Sequence, residues 1–326
     1  MSRIDDQLNL KLPIWSAGMG LGISGASLSS AVSNAGGLGV LGLGGMDPAT
    51  MSVIMSEMRQ LTSRAFGVNI IMPMMQDRQI ETCFDAKVPL IVLFWGDPSP
   101  YVKDAQKRGI LVISQCGDVE EAVLAAEAGV DGVIVQGTEA GGHVKAKLPL
   151  AQVVRGTLKE LGSVPVIASG GIATGADVAR ALKLGASAVS MGTRFVATDE
   201  AQVLNSYKER ILAARADETV LTELFDIGWP NAAHRVIRNR AYNDWEAAGS
   251  PISGARPGEH EVIGELGAGD NAIELPRYSV TPPMANYHAD LEEAALYCGE
   301  SCDRIDTILS TEKVMEQLIA ELNAAI

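Results

Sequence analysis

The chain has 326 residues, 47% hydrophobic and 20% charged, which is enough for one large core or one and a half and implies no disordered half. A formal net charge of −14 and a pI near 4.8 exclude duplex nucleic acid as an expected partner and require any anionic ligand to be held by local donors. Residues 1–11 show no signal-peptide pattern, no apolar run approaches a membrane span, and the four cysteines, Cys83, Cys116, Cys298 and Cys302, are few and irregularly placed. The expectation is a cytoplasmic protein with reduced thiols, no membrane association and no metal site.

In chain order, short apolar runs alternate with amphipathic helical patterns. Strands are expected at 13–17, 38–41, 65–70, 90–94, 111–115, 132–135, 164–168 and 188–191. Helices are expected at 26–35, 48–61, 77–86, 100–107, 119–128, 150–161, 175–184 and 201–214. Eight βα units predict an α/β fold of the (β/α)8 TIM-barrel type, with functional loops at the strand C-termini. A doubly wound open sheet would show fewer units and a Gly-rich fingerprint after its first strand. From about 197 to 290 prolines and glycines break the pattern, so a smaller substrate-side domain or lid is expected there, after a barrel at 1–196. The tail, 291–326, is expected to return to helix and pack on the barrel, with Leu291, Ala294, Ala295 and Cys298 at helical spacing and a further helix at 311–325.

The strand ends carry the chemistry. Asn69, Gln115 and Gln136 end strands three, five and six with both donors and acceptors. Met19, between Gly18 and Gly20 after strand one, is placed to pack on an aromatic ring system. After strand six, Gly137, Gly141 and Gly142 form a turn that ends on His143, the one histidine in the first two-thirds of the chain and a side chain that titrates near neutrality. Ser169, Gly170 and Gly171 after strand seven, with a helix beginning at Gly175, and Met191, Gly192 and Thr193 at the end of strand eight lie where barrels hold phosphate with backbone amides and a helix N-terminus. A phosphate clamp beside a polar mouth suggests FMN, a sugar phosphate or a nucleotide, and the absence of a dinucleotide fingerprint favours FMN over FAD.

These motifs resemble the nitronate monooxygenase family. The resemblance is carried by Ala17–Gly20, Gly67–Asn69, the Gln-Gly-Thr-Glu-Ala-Gly-Gly-His run at 136–143, Ala168–Ile172 and Met191–Phe195. It extends to Phe225–Pro230, His234, Arg235 and residues 295–301. It implies an FMN-dependent barrel that oxidises alkyl nitronates with O2 to carbonyl compounds and nitrite, without a metal. It further implies that Asn69, Gln136, Gly141, Gly171 and Ser190 to Thr193 bind FMN, that Met19 lies against the flavin, and that His143 is the catalytic base for nitroalkanes. Lys145 and the amides of Gly141 and Gly142 are expected to attract the anion. The expected partners are a small-molecule substrate and O2, with a homodimer left open. Two alternatives stand beside this reading: an FMN-dependent NAD(P)H reductase of quinones or enoyl thioesters, and a flavin-free barrel for a phosphorylated ligand.

Overall fold

Residues 3–269 and 272–326 are described by a computed structural model. Eight parallel strands, Ile14–Ser16, Gly39–Gly42, Phe66–Ile71, Leu90–Phe94, Leu111–Cys116, Gly132–Gln136, Val166–Ser169 and Ala188–Met191, run in the spatial order first, eighth, seventh, sixth, fifth, fourth, third, second. A bridge between Trp15 and Leu38 joins the two ends and closes the barrel. The closure is narrow. The Leu38 amide donates to Ile14 O and the Ser16 amide to Leu38 O, each at 3.0 Å, and the Ser16 hydroxyl accepts the Val40 amide, also at 3.0 Å.

Strand register decides which side chains enter the barrel, because successive residues face opposite sides. Leu90, Val92, Leu111, Ile113, Ile134, Ile167 and Ala188 form the interior with Trp15, Leu38 and Val40. Their neighbours, such as Ile91, Val112, Val133, Val166 and Val189, pack outward against the helices. The same alternation turns Asn69, Phe94, Gln115, Gln136, Ser169 and Ser190 inward at the C-terminal rim, where Gln136, Ser169 and Ser190 lie side by side in register. A six-residue helix, Arg3–Leu8, closes the other end by inserting Ile4, and Leu10 follows it. Its sequence is too short and polar to announce itself, and it is legible only with its partner: a Cβ on Gly132 would stand 2.8 Å from Ile4 Cδ1.

Several helices begin where a side chain can satisfy the first free amides. Asp47 accepts from Ala49 and Thr50 at the start of Pro48–Leu61, and Asp118 from Glu121 at the start of Val119–Glu127. The helix Thr311–Ala325 packs against both Gly175–Lys183, the helix of the seventh unit, and Ala26–Asn34, that of the first, so it takes the eighth helix's place in the outer ring. Over 291–298 the expected helix is absent: the chain makes one 3-10 turn, Leu291–Glu293, and then runs irregularly, with Ala294, Ala295, Leu296 and Cys298 buried. Apolar spacing there reflects burial on several sides of a non-helical segment.

Between 197 and 290 the chain forms the helices Asn205–Ala213 and Arg240–Ala247 and two small antiparallel sheets. In one sheet Val262–Leu266 lies between Ile273–Pro276 and Tyr287–Ala289. In the other, His234–Ile237 lies between Thr219–Thr222 and a two-residue strand, Gly142–His143, donated by the loop after the sixth barrel strand. That pairing fixes the irregular region to the barrel mouth.

Candidate active site

Thirteen positions expected from the sequence to bind the cofactor or act in catalysis line one cleft of about 1250 Å3, open mouth included, at the C-terminal end of the barrel: Met19, Asn69, Gln115, Gln136, Gly141, His143, Ser169, Gly170, Gly171, Ser190, Met191, Gly192 and Thr193. The residues lining it include no Lys, Arg, Asp or Glu. In a chain of net charge −14, that leaves backbone and neutral side chains to meet a ligand.

On one side, missing side chains make the geometry. A Cβ on Gly18 would run into Asn69, standing 2.9 Å from its Cγ, and one on Gly42 would collide with the Met19 carbonyl. These two glycines let residues 17–20 lie on the second and third strands. Met19 is pinned there, its amide donating to Ser24 Oγ at 2.8 Å.

The loop after strand six is held from within and from outside. The Gln136 amide group donates to His143 O at 2.9 Å and accepts from the Lys145 amide at 3.2 Å, so much of its hydrogen-bonding capacity braces the loop. Glu139 accepts the Leu150 amide at the start of Leu150–Leu161, and its carbonyl accepts the Glu300 amide at 3.0 Å. Gly141 meets residues 298–299 so closely that a Cβ would stand 2.6 Å from Cys298 C. The need for glycine at 141 is therefore contact with the tail. Arg235, reaching from the paired strand, donates twice to Thr138 O and pairs with Glu300 at 3.0 Å.

His143 stands opposite His234 in this ladder. Its imidazole stacks on Trp229, with ring centroids 4.0 Å apart and planes 23° from parallel, while Trp95, Tyr297 and His234 surround it at 6.4, 5.5 and 5.4 Å. Nε2 is sealed from solvent and meets no hydrogen-bond partner, which leaves Nδ1 as the ring nitrogen a molecule in the cleft can reach. Burial, and secondarily the neighbouring His234, push its pKa down to about 3, so the ring is neutral. His234 is also neutral: Nδ1 donates to Ala232 O at 2.9 Å, Nε2 accepts the Phe225 amide at 3.2 Å, and burial depresses its pKa to about 4.

The expected phosphate end needs one correction. The N-terminus of Gly175–Lys183 is already occupied, because Asp177 accepts the amides of Ala173 and Thr174, and Glu321 accepts that of Gly175 at 2.6 Å. Two carboxylates and the packed helix Thr311–Ala325 exclude an anion from that helix end. Gly170, Gly171, Ile172, Gly192 and Thr193, in contrast, line the cleft, and among the described residues their amides donate to no acceptor. Gly170 and Gly171 have φ of +115° and +65°, a conformation that turns the chain there and strains other residues. This cradle of free amides on adjacent strand ends fits a phosphate group. The Thr193 hydroxyl accepts the Gly299 amide at 3.0 Å, a second tie between the rim and the tail.

Two charged residues near the motifs serve elsewhere. Arg194 is buried and donates to Ala197 O and Thr307 O, anchoring the tail. Lys145 pairs with Glu121 and lies over the Trp95 ring, which spends the charge expected to draw an anion. The apolar stretch 223–230 divides: Trp229 faces the cleft, whereas Leu224 and Phe225 fill a separate core with Val236, Ala241, Tyr278 and Ala295. Sequence reasoning missed Trp95 and Tyr297 beside the imidazole. The only signal for Trp95 was an aromatic pair ahead of Gly96 at the end of the fourth strand.

Comparison with known proteins identifies the family of the chain. The family profile described as nitronate monooxygenase matches residues 1–80 and 73–321. A probable nitronate monooxygenase of Staphylococcus aureus strain MSSA476 is 29% identical over 99% of this chain and 97% of its own. Among solved structures, FabK from Thermotoga maritima superposes with a TM-score of 0.79 and 30% identity over 99% of this chain and 96% of its own. Nitroalkane oxidase from Streptomyces ansochromogenes superposes with a TM-score of 0.79 and 26% identity over 99% of both chains.

Proposed function

Because the chain belongs to the nitronate monooxygenase family, a family of flavin oxidoreductases, we propose that it binds FMN in the cleft and oxidises alkyl nitronates with O2 to carbonyl compounds and nitrite. The observation that carries this reading is the imidazole of His143, neutral and reachable at one nitrogen, on a cleft lined by no charged side chain. When bound, FMN supplies the electron transfer between substrate and oxygen.

The chain's own share is binding, orientation and proton handling. Free amides at Gly170, Gly171, Ile172, Gly192 and Thr193 would hold the phosphate, Met19 would meet the ring system, and Asn69, Gln115 and the remaining donor of Gln136 would bind its polar edge. The segment 197–290 acts as the substrate-side lid over a barrel that ends near 196, and 291–326 packs back on that barrel. A nitroalkane loses its C–H proton to His143 Nδ1. The imidazolium then lies beside a newly formed anion in a poorly hydrated site, and their attraction offsets the burial that otherwise keeps the ring neutral. A substrate that arrives as a nitronate has already lost that proton and needs only to be bound.

An absorption spectrum of the purified protein, followed by two additions, tests the proposal. The expected protein is yellow, consumes oxygen and releases nitrite when given a nitronate in air, and is not bleached by NADH or NADPH without air. Bleaching by a nicotinamide would instead identify a reductase of quinones or enoyl thioesters, and a colourless protein would remove the flavin altogether.

A further inference from the structure

Catalytic histidines are usually aimed by a hydrogen bond from the ring nitrogen that does not react. His143 has no such brace. Its backbone carbonyl is held by Gln136, yet among the described residues neither ring nitrogen meets a hydrogen-bond partner, and Nε2 is enclosed. Something else must fix the angle of the ring.

The arrangement around it is aromatic. Trp229 covers one face of the imidazole at 4.0 Å and is itself fixed: it is only 6% exposed, its amide donates to Asp226 O at 2.9 Å, and Phe94 and Trp95 meet it edge-on at 6.5 and 5.1 Å. Gly228, with φ of +108°, turns the chain into this position, and a Cβ there would stand 2.8 Å from Val280 Cγ1. Trp95 has φ of +68°, which is uncommon outside glycine and strained for a bulky residue. Such strain persists only where the surroundings impose it, and here the Trp95 ring stands at 84° to that of His143.

We propose that Trp229 is the positioning residue of His143: its indole plane, backed by Trp95 and Phe94, replaces the missing hydrogen bond and holds the imidazole with Nδ1 open to the cleft. Resting on the assignment of His143 as the base, this makes the segment after the barrel part of the proton-transfer apparatus as well as a cover. Stacking of the two rings constrains the tilt of the imidazole. A misplaced base costs on the order of 10²-fold in rate.

Two measurements on flavin-replete protein test this. In the first, Trp229→Leu is combined with His143→Ala and assayed with a neutral nitroalkane. If the indole acts through the imidazole, Trp229→Leu loses roughly 10–100-fold alone but about threefold or less in the His143→Ala background, and Trp229→Phe recovers most of the loss. Losses that multiply would overturn the proposal, as would equal losses on nitroalkane and nitronate. The second measurement needs no turnover: the His143 ring proton resonances, assigned by their disappearance in His143→Ala, should lie upfield in the parent protein and lose that shift in Trp229→Leu. An unchanged shift overturns the proposal whatever the activity. If His143→Ala loses nothing on either substrate, the base assignment fails instead, and the resonances still decide whether Trp229 orients the ring.

Discussion

Gly141 and Gly299 are fitted backbone against backbone, with no room for a methyl group on either: a Cβ on Gly299 would stand 2.8 Å from both Glu139 O and Gly141 N. The loop that carries His143 is thus clamped by residues more than 150 positions later in the chain. Gly141→Ala must push the two segments apart. The expected cost is about 1–3 kcal/mol, as for other overpacked sites, with loss of flavin because both segments border the cleft. Gly142→Ala is the control. Its φ of +72° also strains alanine, but a Cβ there meets nothing within 4 Å, so flavin content should be retained. Thermal midpoints and absorbance of the two variants give the comparison, and equal flavin loss in both would remove the clamp from the explanation.

His143→Ala should separate the two substrate states. A general base contributes about 10²–10⁴-fold to proton transfer, and a preformed nitronate needs none. Nitroalkane turnover is expected to fall by about that factor while nitronate turnover falls less. Proportional losses on both, measured on one flavin-replete preparation, would exclude the role of base. In the parent enzyme a pKa of about 3 leaves the ring neutral across the usual range, so kcat/KM for a nitroalkane should show no inflection near pH 6.5 that depends on His143.

Substitutions at Gly171 locate the phosphate. Aspartate and asparagine have nearly the same shape, and both tolerate a φ of +65° better than most residues, but only aspartate adds charge. Gly171→Asp should abolish FMN retention and Gly171→Asn should weaken it less, as read from the flavin-to-protein absorbance ratio. A Gly171→Asp protein that purifies with full flavin would move the phosphate elsewhere.

Acid should weaken the fold earlier than carboxylates alone would cause. His234 and His143 have folded pKa values of about 4 and about 3, against about 6.5 in an unfolded chain. Between those values the unfolded chain binds protons that the folded one refuses, so stability is full above pH 6.5 and declines as pH falls. His234 alone is worth about 3 kcal/mol by pH 4. Urea midpoints at pH 7.5 and 5.5 should differ measurably, and His234→Asn should shrink the difference. Identical midpoints in the parent protein would show that these rings protonate without cost.

The barrel was legible because a strand buried on both faces reads as a nearly continuous apolar run, and all eight predicted strands lie within two residues of the observed ones. The rim followed from the alternation of side chains, which turns Asn69, Gln115 and Gln136 the same way as the core residues below them. What the sequence hid were partnerships between distant segments. Glu321 over Gly175, Lys145 with Glu121 and Trp229 over His143 each depend on segments brought together only by the closed chain. The helix expected over 291–298 failed for a related reason: its apolar residues face several neighbours, and no single helical face organises them.

The helix Thr311–Ala325 bridges the helices of the seventh and first units of the ring. During synthesis, therefore, no growing chain that stops short of this helix has a complete outer wall. Its Gly175 amide awaits Glu321, and the clamp on Gly141 awaits residues 298–299. The wall of the cleft built from Tyr297, Gly299 and Ser301 thus comes late in the chain. A nascent barrel therefore carries the loop that ends on His143 unclamped until the tail has been made.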